Sequence, residues 1–409
     1  MPFSYRNVEE KAAGARGLVD IIDFDIGGLD MPEMRQLTVK EIVLGESLLT
    51  PGLQTTVTLQ SLIYLPSGKN FDKFKNKPIS FTLERDGGGV LPVNQQVYRL
   101  DNRDFQPVNT GQTEEFSIHA CDQTQIEDAK KLVSKSWSCE RPSSVVEYVL
   151  KNCAGAKTID VESADPARDY IAENIHPFQV VGQQCNVGLA DGSDPSFVHF
   201  MTYENGGTHC FKSLKQMTQQ SPVATFKHSE TGKSNDRLSG YANPEAIVAF
   251  MFPCDFDYLS DLLNGVDENG KDMNTLAIFN PVTKSMSQLG NQMSGCGMGG
   301  FNFKQSVSNN QSNKQQQACN LDVEHHLLKR QARMALLERD KIALRMTVPW
   351  NANLHASKVI KFEWTNKYGG LVYGSGTYLI SSISHAIRLG GFSTTTMDCV
   401  STTVGGGEV

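Results

Sequence analysis

From residue 18 onward the chain alternates apolar and polar positions in short bursts. Leu18-Val-Asp-Ile-Ile-Asp-Phe-Asp-Ile26, Gln36-Leu-Thr-Val-Lys-Glu-Ile-Val-Leu44 and Gln54-Thr-Thr-Val-Thr-Leu-Gln-Ser-Leu-Ile63 have strand composition and a two-residue period. That spacing turns one face of each strand toward a core. Gly45, Pro51-Gly52, Pro66, Gly68 and Gly87-Gly-Gly89 punctuate the bursts as turns. Many short strands between Gly/Pro turns predict a first β-barrel over 18–122.

The period changes after Cys121. Gln125 to Val133 has helical spacing of apolar residues, and Arg141 to Leu150 follows with an N-cap expected at Ser143 or Ser144. A third helix is expected from Gln179 to Leu189. Strand candidates Ser196–Tyr203 and His209–Phe211 flank Asn205-Gly206-Gly207, which predicts a hairpin. These elements predict a small peripheral α+β domain over 123–235.

The β pattern returns at Ile247–Phe252 and Asn274–Phe279. Residues 291–320 are rich in Gln, Asn, Ser and Gly and read as a flexible polar insertion, expected to be nicked first by a protease. A helix is expected over 321–345, with Val323, Leu327, Met334 and Leu337 on its apolar side. A closing β module over 341–404 then combines with 236–290 as a discontinuous second barrel. The expected class is α+β, mainly β: two similar small antiparallel β-barrels, an intervening α+β domain, and a helix before the final barrel strands.

The two β regions share landmarks in the same order. Lys77-Pro-Ile-Ser-Phe81, Gly87-Gly-Gly-Val90, Val97-Tyr-Arg-Leu100 and Glu115 to Cys121 stand near the front. Lys358-Val-Ile-Lys-Phe362, Gly369-Gly-Leu-Val372, Thr377-Tyr-Leu-Ile380 and Thr394 to Cys399 stand near the end. One module used twice is the reading these landmarks suggest. Fusion of the two regions into one continuous sheet counts against it.

The 409 residues suffice for about two to four domains. Hydrophobic residues make up 39% and charged residues 20%, as in ordinary globular proteins. The net charge of −7 argues against a nucleic-acid binder with a large basic face, yet allows a neutral or acidic channel through which DNA slides. The start is polar, without a signal-peptide core, and the longest apolar run, Ala246–Phe252, is far short of a membrane span. No membrane association is expected. Nine dispersed cysteines without a close CxxC pair read as reduced thiols made in a cytoplasm.

No chemical motif has the required spacing. Adjacent His325-His326 point about 100° apart on a helix and cannot easily share a metal. His209-Cys210 diverge if they lie in a strand. Gly295-Cys-Gly-Met-Gly-Gly300 lacks the Lys-Ser/Thr of a phosphate loop. Asp255, Asp257, Asp261, Asp267 and Asp272 form an acidic stretch without a complete calcium loop. Cys121 and Cys399, at matching points of the two modules, read as small buried hydrophobes, or as a pair if the barrels touch. No catalytic, cofactor-binding or metal-binding residues are therefore expected, and no enzyme. The rival class is a hydrolase that uses the acidic stretch.

The order of elements resembles the baseplate hub proteins of contractile-tailed phages and the N-terminal part of VgrG-type spike proteins. Met346 to Phe362, Tyr378 to Arg388 and Ser393 to Val400 resemble the closing strands of the second barrel in that family. The polar insertion departs from its pattern. The resemblance implies a structural homotrimer in the virion tail baseplate, assembled in the bacterial cytoplasm. It implies contacts with a central spike protein and a tail tube or tube-initiator protein, and further contacts with a tape measure protein and the baseplate wedge. DNA would be met only in transit. An equivalent component of a tail-like secretion or injection device is the alternative.

Overall fold

The computed structural model describes residues 3–5, 18–61, 73–85, 89–102, 114–191, 194–229, 246–251, 275–280, 285–290, 342–365, 368, 370–371, 374–391 and 393–401. The first β unit contains β1 (Phe3–Tyr5), β2 (Asp20–Ile26), β3 (Leu37–Ser47), β4 (Gln54–Ser61), β5 (Pro78–Arg85), β6 (Gly89–Asn102) and β7 (Glu114–Cys121). One helical turn, α1 (Met31–Met34), precedes β3. The predicted alternation is realised in β3, where Leu37, Val39, Ile42 and Leu44 are buried. A register shift between Val39 and Glu41 accommodates Lys40 as an extra, exposed residue. Without that bulge Ile42 and Leu44 would turn away from the core.

The α+β region begins at α2 (Gln123–Lys130). It starts earlier than apolar spacing predicts because Asp122 closes a capping box. Its carboxylate accepts from the Thr124 amide at 2.8 Å, and Gln125 Oε1 accepts from the Asp122 amide at 3.0 Å. Val133 is not helical but opens β8 (Val133–Glu140). Next come α3 (Pro142–Tyr148) and a π-helical turn over Val149–Ala154. The N-cap of α3 is Arg141, not Ser143 or Ser144, because Pro142 takes the first helical position. Then follow β9 (Ile159–Val161), β10 (Arg168–Ile175) and α4 (Pro177–Val187), close to the expected third helix. The predicted hairpin is β11 (Phe197–Thr202) and β12 (Thr208–Ser213). Its turn holds Asn205, Gly206 and Gly207 at positive φ, which explains that tripeptide. β9 joins β12 in parallel, β8 and β10 form a separate pair, and α5 (Leu214–Thr218) follows.

The chain rejoins the large sheet earlier than position 236. β13 (Ala224–Ser229) pairs in parallel with a strand near the end of the chain. β14 (Ala246–Met251) is followed by the hairpin β15 (Thr275–Asn280) and β16 (Ser285–Gly290). That hairpin pairs only with itself among the described residues, so it does not extend the second unit as expected. The second unit continues with β17 (Ile342–Pro349), β18 (Val359–Thr365), β19 (Gly376–Arg388) and β20 (Thr394–Ser401). The expected helix lies outside the described residues except for 342–345, which are strand. There Leu344, Met346 and Val348 alternate into the core and β20 pairs alongside, so period two wins.

The mainly β, α+β class stands, with one correction: the two β units are fused. β19 uses Val359–Phe362 of β18 as its neighbour through Gly376–Leu379. Beyond a register shift at Ile380/Ser382, Ser382–Arg388 on β19 pair with Glu41–Ser47 of β3. A single 13-stranded sheet results. This fusion counts against two independent modules. The strand plan is nevertheless repeated. The first unit runs β2-β5-β6-β7-β4-β3 across the sheet, and the second runs β13-β18-β19-β20-β17-β14. Taken in chain order, without the β15–β16 hairpin, each strand occupies its counterpart's place. Apart from the Gly-Gly segments, the landmarks fall on β5, β6, β7 and on β18, β19, β20. One pairing differs: β2 and β5 are antiparallel, whereas β13 and β18 are parallel.

Three apolar cores underlie this arrangement, one per β unit and one in the α+β region. The β17–β18 connection carries Trp350, fully buried, into the first unit's core. From the β11–β12 hairpin, Met201 and Tyr203 enter the first core, and Val198, Phe200 and Cys210 the second. No helix among the described residues is long and apolar enough to cross a membrane.

Candidate functional site: a buried polar junction

Where β3 meets β19, the inward row of β3 continues from Ile42 and Leu44 to Glu46, whose side chain is fully buried. A buried carboxylate is tolerated only when its oxygens are hydrogen-bonded. Here Glu46 Oε1 accepts from the Tyr203 amide at 2.7 Å and faces His355 Nδ1 at 2.9 Å, while Oε2 accepts from the Ala356 amide at 2.7 Å. One carboxylate thus ties together β3, the β11–β12 hairpin and the β17–β18 connection.

Further bonds lock the same junction. The Tyr203 hydroxyl donates to the Gln54 carbonyl at 2.8 Å and lies 2.9 Å from Thr55 Oγ1. Burial pushes its pKa well above the usual phenol value, so it stays neutral. Lys358 reaches Glu204 at 3.0 Å. His385, also buried, meets Thr395 Oγ1 at 2.8 Å, and burial lowers its pKa to about 4. These groups position backbone segments; none is aimed into an open cleft.

A second polar chain anchors α2 to the hairpin. Asp122 Oδ1 accepts from Thr124 Oγ1 at 2.5 Å, Thr124 Oγ1 lies 2.8 Å from His209 Nε2, and His209 Nδ1 lies 3.1 Å from His199 Nε2. Phe178 closes edge-on over both rings. Burial lowers the pKa of His209 to about 4 and that of His199 well below the usual value. The His209-Cys210 pair resolves as expected for a strand. His209 joins this chain, whereas Cys210 lies in the second unit's core, where burial raises its thiol to about 12. The two do not form a nucleophile–base pair.

Cys121 and Cys399 are free, buried thiols. Burial raises Cys121 to about 11 and Cys399 higher still. His325, His326, the Gly295–Gly300 segment and the five aspartates between 255 and 272 lie outside the described residues. Among the described residues no cluster of three or more His, Cys, Asp or Glu side chains is placed to hold a metal. Glu46, Tyr203, His355 and His385 escape a motif search because they belong to no motif. Glu46 does leave a signal: it is a carboxylate at the inward parity of a strand whose preceding inward residues are apolar.

No family model matches this chain, and no curated protein matches it. The tail protein from Neisseria meningitidis MC58 superposes with a TM-score of 0.56 over 95% of this chain and 97% of its own, at 10% identity. This chain shares the fold of that tail protein. The 43 kDa tail protein of prophage MuSo2 from Shewanella oneidensis shares the tail-protein fold at a TM-score of 0.52, covering 89% of this chain and 96% of its own, also at 10% identity. A type VI secretion component of E. coli aligns over 93% of this chain and 77% of its own at 8% identity, with a TM-score of 0.48. At 10% identity the likeness to the two tail proteins is one of fold.

Proposed function

We propose that this protein is the structural hub of a phage tail baseplate, a homotrimeric ring that adapts a threefold central spike to a sixfold tail tube. It leaves a channel for the genome and makes no bonds in substrates. A tape measure protein and the baseplate wedge are further partners of such a ring in the virion.

The observation that carries this reading is the repeated strand plan together with the strand pair that fuses its two copies. Within one chain, β3 of the first unit pairs with the far half of β19 in the second. The counterpart of β3 is β14, which among the described residues has only β17 as a neighbour. The counterpart of β19 is β6. It pairs with β5 through Gly89–Gln96 and with β7 through Gln96–Asn102. The edge of β6 opposite β7, over residues 98–102, has no strand partner among the described residues. Unpaired edges invite strand addition. Setting β14 of one copy against β6 of the next would repeat the β3–β19 pairing between chains. Such a head-to-tail contact closes into a ring when its rotation divides a full turn. Three chains would supply six similar units, matching threefold below and sixfold above.

Light scattering on the purified chain tests this. A particle of three 45.1 kDa chains is expected. A monomer at all concentrations, or a ring of any other order, refutes the hub.

A further inference from the structure

The fused sheet has one face that neither core uses. On strands β17, β20, β19, β3 and β4, the inward positions carry the cores and Glu46, and the hairpin residue Tyr203 reaches them from that side. The opposite positions form continuous rows across the strands. In one row Thr347 faces Thr396, Thr396 faces Ser384, Ser384 faces Gly45, and Gly45 faces Gln54. Thr347, Gly45 and Thr396 are partly exposed, and Ser384 and Gln54 are exposed.

This face is short-chained and already satisfied. Thr347 and Thr396 share a hydrogen bond at 3.0 Å, as do Thr56 and His119 at 3.1 Å. Its arginines are each held against a carboxylate, while Lys40 stands exposed at the β3 bulge. Arg345 pairs with Asp398, Arg388 with Glu41 at 2.9 Å, and Arg99 with Asp101 at 2.8 Å. Asp398 also accepts from Ser382 at 3.0 Å. Protein interfaces are held by buried aromatic and arginine anchors; across β17, β20, β19 and β3 this face presents no exposed large apolar side chain and no unmatched arginine, and Tyr98, beside His119, stands only at its β6 margin. Its chemistry fits a surface that must not be gripped.

We propose that this hydroxyl face lines the central channel, and that its paired charges form a non-adhesive lining past which a polyanion, duplex DNA, moves. The assignment rests on the ring reading above. The α+β hairpin covers the other side of the sheet, so among the described residues this face is the one left for the lumen. Phosphate attraction grows with every unpaired lysine or arginine and is relieved by salt. Holding each arginine against a carboxylate weakens that attraction without making the wall strongly acidic.

Two measurements test the assignment on the full-length protein, with assembly followed by light scattering. First, Ser384→Cys should react with a small maleimide but be protected from a bulky polyethylene-glycol maleimide in the ring. Lys151→Cys, on the α+β region, should take both reagents, with sites located by peptide mapping. Second, the double variant Asp398→Asn, Glu41→Gln frees Arg345 and Arg388. It should bind a short DNA duplex at least about tenfold more tightly than the parent protein at low salt, an advantage lost as salt rises. The equivalent neutralisation on the α+β region, Asp191→Asn beside Lys215, should leave DNA binding unchanged. A monomeric particle overturns the ring and this assignment together. An intact ring in which Ser384→Cys takes the bulky reagent as readily as Lys151→Cys overturns the channel assignment alone. An intact ring whose double variant holds DNA no better than the parent overturns the charge-masking part.

Discussion

Glu46 and His355 lie 309 positions apart and in different β units, yet the Glu46 carboxylate meets the His355 ring at 2.9 Å in a fully buried contact. The same carboxylate caps two backbone amides, so it is shared by three segments that no covalent link holds together. Removing one partner of a buried, hydrogen-bonded pair leaves the others unsatisfied. Glu46→Ala should therefore destabilise the fold by about 3–5 kcal/mol, and Glu46→Gln by less, since an amide oxygen still accepts. Urea unfolding of both variants measures this. An Ala variant as stable as the parent would show that the junction is held by apolar packing alone.

Stability should fall on mild acidification. His209 and His385 are buried with pKa values lowered to about 4, and that of His199 lies well below the usual value. In the unfolded chain each takes a proton near pH 6.5. Between these limits the unfolded state binds more protons, so stability is complete above about pH 6.5 and is lost as pH falls toward 4. Each such histidine contributes a slope of ~1.4 kcal/mol per pH unit inside that window. Urea midpoints at pH 7 and pH 5 read the effect. His385→Gln should flatten the slope by one histidine's share, and a parent midpoint unchanged between the two pH values would contradict the neutral, buried state of these rings.

Thiol reactivity should separate the cysteines by position. Cys139 is exposed, whereas Cys121, Cys210 and Cys399 are buried with raised pKa values. Thiolate is the reacting form, so burial slows Cys121, Cys210 and Cys399 through both access and ionisation. Timed labelling of the native protein with peptide mapping should find Cys139 modified well before those three. Early modification of Cys121 or Cys399 would mean that the β units open on the labelling timescale.

Most strands of the β units are legible in the sequence because their inward residues are apolar at a period of two, kept through Leu344, Met346 and Val348 of β17 and broken in β3 only by the bulge at Lys40. The fold's joints are not. β8 and β10 pair with each other and bury few side chains, chiefly Val133, Trp137 and Ala172, so no alternation marks them. β13 is absent from the sequence expectations, and its parallel partner lies over a hundred residues away. Fusion of the units depends on β19 exchanging β18 for β3 at Ile380/Ser382, a register event that composition does not encode. The repeat was visible as landmarks on β5 to β7 and β18 to β20, but the shared sheet that joins its copies was not. Glu46 is conspicuous only after its strand and parity are known.

Tyr98 offers the sharpest test of how copies meet. It is the extra residue at the register shift between Val97 and Arg99 on β6, and 54% of its surface is exposed. It stands where the edge of β6 opposite β7 becomes free, the place at which β3 joins the counterpart strand β19. An exposed aromatic beside an unpaired edge is the kind of residue that anchors an interface. Within one chain, Tyr98→Glu should be tolerated, because exposed positions seldom change stability by more than about 0.5 kcal/mol. In the ring it would place a charge at every junction between chains. We expect the concentration for half-dissociation to rise at least about tenfold, equivalent to ~1.4 kcal/mol per contact, with the circular dichroism spectrum unchanged. Ile171→Glu, at a 62% exposed position on the α+β region, should leave the ring intact. If Tyr98→Glu assembles as the parent does while Ile171→Glu dissociates, the α+β regions and not the β edges join the copies.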